Sequence, residues 1–97
     1  MIAVYAICHV KAEKIAEFEA LAKTLVSASL NDQGCISYGC GAVQGQPNVY
    51  TFVEQWQSQQ DLALHTQQAH FIDAGAQFAE LLSQPIAINI VDLLDVK

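Results

Sequence analysis

Apolar residues alternate with no polar face along Ile2 to Val10: Ile2, Val4, Ala6, Cys8 and Val10 on one side, Ala3, Tyr5, Ile7 and His9 on the other. That pattern predicts a strand covered from both sides. The period then lengthens. Ile15, Phe18, Leu21, Ala22, Leu25 and Val26 form one stripe between Ala12 and Leu30, with Glu13, Glu17, Glu19 and Lys23 facing water, which predicts an amphipathic helix. Asn31-Asp32-Gln33-Gly34 stops it, and Gly34 suits a left-handed conformation. A second strand, Cys35 to about Val43, carries Gly39 and Gly41, which mark a bulge or a close approach. After the Gln44–Asn48 turn cluster, Val49 to Trp56 is β-branched and aromatic and predicts a third strand.

Ser58 then reads as an N-cap with Asp61 three residues on, opening a short helix from Gln59 to about Thr66. A last helix, Ala69 to Leu82, buries Phe71, Ala74, Phe78, Leu81 and Leu82. A fourth strand spans Ile86 to Val96, with Ile86, Ile88, Ile90, Leu94 and Val96 on one face. With right-handed crossovers, this order gives an α+β fold: a ferredoxin-like four-stranded antiparallel sheet with helices on one face. All 97 residues form a single domain in this reading. Helices cover only one sheet face, yet the strands are apolar on both, so a second copy pressing sheet to sheet is expected, giving a homodimer.

Composition sharpens the picture. Apolar residues make up 53% of the chain and charged ones only 14%, which excludes disorder and adds to the case for a buried self-interface. The net charge is −6, with four lysines and no arginine. Nucleic acid is excluded as a partner for want of a basic stripe, anionic membranes are repelled, and phosphorylated ligands lack a guanidinium fork. No signal peptide or membrane-length apolar run is visible, and Cys8, Cys35 and Cys40 include no C-x-x-C pair; reduced thiols in the cytoplasm follow.

Candidate chemistry gathers at one strand-to-helix corner. Val49 to Phe71 holds Trp56, the only tryptophan, together with His65 and His70, and Glu54 shares its strand face with Trp56. Five residues apart, the imidazoles would lie about 140° apart on an unbroken helix, so a break between them decides whether they converge. Metal binding is disfavoured: Glu54, His65 and His70 lack the i, i+4 spacing of helical zinc sites, and no third strong ligand is obvious.

The run Glu54-x-Trp56 followed by Leu62-x-x-His65-x-x-x-x-His70-Phe71, preceded by Gly34-x-x-x-Tyr38, resembles the antibiotic biosynthesis monooxygenase domain family, nearest its small quinol-monooxygenase-like branch. The resemblance implies a dimeric α+β barrel that oxidises a small quinol or phenol with dioxygen and no cofactor. Cofactor-free oxygenation needs a base, a dry pocket and a rigid wall. His65 is the natural base. His70 would orient it, relay its proton or bind substrate. Trp56 would be the wall, with Tyr38 and Glu54 as further substrate contacts.

Departures narrow the substrate. Phe52, Leu62 and Ala76 replace polar pocket residues of the polyketide-tailoring members. His65, Gly75 and Ile7 replace the tryptophan, histidine and asparagine of haem-degrading relatives. Gln84-Pro85-Ile86 replaces basic residues of a phosphate-handling isomerase branch. Two alternatives stay open: a dimer that binds a small metabolite without transforming it, and a proton-shuttling isomerase acting through both histidines on a non-phosphorylated carbonyl compound.

Overall fold

The computed structural model describes residues 1–96. Strand β1 (Ile2–His9) leads through a 3-10 turn (Ala12–Lys14) into helix α1 (Ile15–Ser29). Strands β2 (Cys35–Ala42) and β3 (Val49–Trp56) follow, then helices α2 (Gln59–His65) and α3 (Ala69–Leu81), and strand β4 (Ala87–Asp92). The four strands form one antiparallel sheet in the order β2-β3-β1-β4, the ferredoxin-like α+β arrangement that the periodicity predicts.

Ile2, Val4, Ala6 and Cys8 of β1, with Phe52 and Trp56 of β3, are buried on the helix side of the sheet. Phe18 of α1 sits at the centre of this core, with ring centroids 4.9 Å from Tyr50, 5.3 Å from Phe78 and 6.3 Å from Phe52. Such tilted and edge-on pairs add about 0.5–1.5 kcal/mol each beyond the area they bury. The opposite face carries Tyr5, 44% exposed, opposite Val53, 53% exposed. In this single chain nothing covers them.

Two expectations are corrected. The fourth strand ends at Asp92 rather than Val96: the ladder's last pair is Asp92 with Ile2, the first residue of β1, and beyond it the Leu93 N–H reaches Met1 O at 3.3 Å without a further pair. Alternating apolar residues continue to Val96, but without a neighbouring strand they have no ladder to join. The irregularity of β2 also lies elsewhere than at its glycines. Cys35 pairs with Trp56 and Ser37 with Gln55, so Ile36 is the bulged residue.

The corner between β2 and α2 is tied by side chains. Ser58 Oγ accepts the Asp61 N–H at 3.1 Å and donates to Asp61 Oδ2 at 3.0 Å, closing the N-terminus of α2. Asp61 Oδ1 accepts from Gln33 Nε2 at 3.0 Å, which fastens α2 to the α1–β2 turn. Gly34 stands in that turn at φ +76°, and a Cβ there would collide with the Asp61 side chain. Gly34→Ala should therefore destabilise the fold by about 1–3 kcal/mol, from left-handed strain plus displacement of Asp61. Urea unfolding of both proteins checks this; an unchanged midpoint would mean that the turn is not under this constraint.

Candidate active site

α2 ends at His65, Thr66 caps it, and α3 begins at Ala69, so the chain bends between the two histidines. The break turns both rings toward one carboxylate. Asp32 Oδ2 lies 2.6 Å from His65 Nδ1 and 2.8 Å from His70 Nε2. An ionised carboxylate has no proton to give, so each of those nitrogens donates to it. His65 is thereby fixed as the tautomer whose Nε2 carries a lone pair. That atom is 3.4 Å from the Tyr38 hydroxyl.

His65 and Tyr38 both line a cavity of about 270 Å³ between sheet and helices. Phe52, Phe71, Phe78 and Ile86 are among its walls, and Glu54 is its one acidic side chain. Among the described residues, no lysine or arginine lines it. Burial lowers the His65 pKa from the usual 6.5, against the opposing pull of the Asp32 hydrogen bond. Burial, with the Glu54 carboxylate beside it, pushes the Tyr38 phenol up, so Tyr38 stays protonated. Burial likewise raises Glu54, partly offset by hydrogen bonds from Trp56 and Tyr38.

The residues singled out from sequence take different places. His65, Tyr38 and Glu54 share the cavity wall. Trp56 does not line it. Its indole is fully buried, stacks at 4.7 Å from the His65 ring and donates its N–H to Glu54 Oε1 at 2.9 Å. The flat wall is supplied instead by phenylalanines. His70 is also outside the cavity lining, and its contact is with Asp32.

Asp32 is the residue that pattern reading passes over, because a turn aspartate after a helix reads as a stop signal. A carboxylate 33 and 38 residues from the two histidines leaves no local signature. It also supplies the third ligand type that spacing did not offer a metal, since donor atoms of Asp32, His65 and His70 all lie within 4.8 Å of one another. At 2.6 and 2.8 Å, however, the carboxylate contacts have the lengths of charge-assisted hydrogen bonds. Atoms sharing a four-coordinate cation with bonds near 2.0–2.2 Å stand roughly 3.4 Å apart.

The sequence profile of the antibiotic biosynthesis monooxygenase family matches residues 1–77, and the chain belongs to that family. YcnE of Bacillus subtilis strain 168, provisionally named a monooxygenase, is 33% identical over 93 residues, which are 96% of this chain and 98% of that one. Protein sll1783 of Synechocystis is 31% identical over 86 residues; the match takes in 89% of this chain but spans only 58% of that longer protein. A conserved protein from Methanosarcina mazei Go1 superposes with a TM-score of 0.89 at 35% identity, over 92% of this chain and 88% of the other. Rv0793 of Mycobacterium tuberculosis shares the fold at a TM-score of 0.92 and 24% identity, over 98% and 96%. Among the described residues, no helix is long and apolar enough to cross a membrane.

The buried Glu54 makes a stability prediction. Its folded pKa stands above the ordinary 4.5, so its contribution is favourable at acid pH and is lost as pH rises through the raised value. At pH 7 the charge is a net cost. Glu54→Gln keeps an oxygen for the Trp56 N–H and removes that charge. Thermal melts should show the variant more stable than wild type at pH 7, with the gap closing toward pH 4.5; a gap that does not change with pH would mean that Glu54 titrates alike in the folded and unfolded protein and that burial does not raise it.

Proposed function

We propose that this protein is a cofactor-independent monooxygenase acting on a small quinol or related phenol, with His65 as general base. The observation that carries the reading is the Asp32-fixed His65 tautomer, which leaves an unprotonated Nε2 at the wall of an apolar cavity, beside Tyr38. Nε2 takes the hydroxyl proton of the bound ring, and Asp32 stabilises the imidazolium that forms. The resulting anion gives one electron to dioxygen, and the radical pair recombines on a ring carbon. One oxygen atom stays on the ring, as a hydroxyl with a quinol and as a quinone carbonyl with a simple phenol, and the other leaves as water. A quinol supplies both reducing electrons itself, ending as a hydroxyquinone. The phenylalanine walls exclude water that would quench the anion. Tyr38 O–H and Glu54 orient the substrate hydroxyls. His70 acts by holding Asp32 in place.

A second reading has one observation in its favour. Glu54 and His65 both reach the cavity, and Tyr38 lies close to each, so a proton could be moved between two positions of a carbonyl substrate. In such an isomerase the two exchanging groups would be Glu54 and His65, because His70 does not line the cavity. Turnover that persists in strictly anaerobic buffer would favour it over oxygenation.

Oxygen uptake with a panel of hydroquinones tests the first reading. His65→Ala should lose roughly 100-fold or more in kcat; a wild type no faster than autoxidation would end it. The acid limb of kcat/KM should have its midpoint below 6.5, because neutral His65 is the active form and burial favours it. Asp32→Asn should slow the plateau by roughly tenfold or more. It should also move that limb to still lower pH, since Asp32 is what holds the His65 pKa up.

The exposed sheet face supports a homodimer. Tyr5 and Val53 sit at the middle of an uncovered apolar surface with Val91 and Ile7 beside them. A second copy pressing this face would bury it. Light scattering at micromolar concentration should give twice the chain mass of 10.5 kDa, and Val53→Lys should give the monomer; a wild-type monomer would remove the proposal.

A further inference from the structure

The floor of the cavity is made of two register rows of the sheet. One runs Tyr38–Glu54–Val4–Ile90 from β2 to the β4 edge, and the other runs Phe52–Ala6–Ile88 from β3 to the same edge. With neighbouring strands about 4.8 Å apart, Glu54 and Ile90 stand roughly 10 Å from each other. The polar side chains of the floor, Tyr38 and Glu54, are at the β2–β3 end. The middle of the floor is made of small side chains, Val4 and Ala6. Above it α3 places Gly75, where a Cβ would meet nothing within 4 Å.

A glycine inside a helix costs about 0.5–1 kcal/mol relative to alanine. Nothing in the packing around Gly75 requires it for want of room, and its missing side chain deepens the hollow. The rows end at Ile88 and Ile90, which belong to the core side of the sheet yet are 59% and 51% exposed. They form an apolar rim where the cavity opens.

We infer that the Val4–Ala6–Gly75 hollow and the Ile88–Ile90 rim are a binding subsite for an uncharged hydrocarbon tail carried by the aromatic substrate. The ring lies at Tyr38, Glu54 and His65, and the tail runs under Gly75 and leaves over the edge of β4. The phenolic identity of the ring rests on the proposed function; the tail subsite rests on the shape of the cavity. An acidic tail is rejected, because Glu54 stands at its head and, among the described residues, no cation lines the path.

Calorimetric titration of the full chain under anaerobic conditions, with phenol and 4-alkylphenols of increasing length, tests this. Affinity should rise up to about fourfold per methylene, the factor that full burial of a CH₂ corresponds to, over the first several carbons and then level off. A chain of equal length ending in a carboxylate should lose most of the gain. Gly75→Leu, checked for folding by its melting curve, should abolish the gain, and Gly75→Ala should reduce it while raising the melting point. Affinity that does not increase with tail length, or no binding of any member, would overturn the subsite, as would a gain undiminished in a folded Gly75→Leu. Binding is read without turnover, so a failure of oxygen uptake would leave this result standing, and the reverse holds too.

Discussion

One carboxylate oxygen organises the site. Asp32 Oδ2 accepts from two imidazoles that belong to different helices, while Asp32 itself stands in the turn between α1 and β2. Each contact alone would be an ordinary charge-assisted hydrogen bond, but sharing the acceptor removes the freedom of three segments at once. It also settles a chemical question, because a histidine with one nitrogen committed as donor has only the other left to accept a proton. Stacking on Trp56 from behind and contact with Phe71 at 5.0 Å hold the ring plane as well. Reactivity at Nε2 is thus a property of the turn that carries Asp32 as much as of His65.

The cavity is built at the expense of stability in two places. Glu54 is buried without a cationic partner, and Gly75 occupies a helix interior where a side chain would fit. Both make sense only if the space they border is used. The absence of a lysine or arginine from the lining, among the described residues, has the same direction. In the proposed reaction, a substrate anion formed there is balanced by the imidazolium beside it, and low polarity strengthens that attraction. The proton and the charge therefore stay within one hydrogen-bond length of each other.

Most of the fold was legible because burial imposes periods. The helix stripe from Ile15 to Val26, the inner face of β1 and the Ser58–Asp61 cap all reported their surroundings locally. The fourth strand was overrun, since apolar alternation continues past Asp92 while the ladder's last pair is Asp92 with Ile2. For the site, strand parity put Glu54 and Trp56 on the inner face, but parity does not distinguish a cavity wall from the layer behind it. Trp56 fell in that layer and His70 outside the wall. Asp32 was invisible for a different reason: turn residues are polar whatever they do, and its partners are remote in sequence. Gly75 gave no warning either, because a helical glycine near a small-residue stretch reads as a neutral interruption.

The bulge at Ile36 has a bearing on all of this. Cys35 and Tyr38 are separated by an odd number of positions, so on a regular strand they would point to opposite sides. With Ile36 unpaired, both turn inward: Cys35 packs on the core and Tyr38 reaches His65. The extra residue therefore sets the phase of the whole β2 strand relative to the turn that precedes it. A chain one residue shorter here could keep the ladder from Ser37 onward, or the inward packing of Cys35 and the seat of the Asp32 turn, but not both without remodelling. Donor phenol and orienting carboxylate reach the same imidazole because the count between them is off by one.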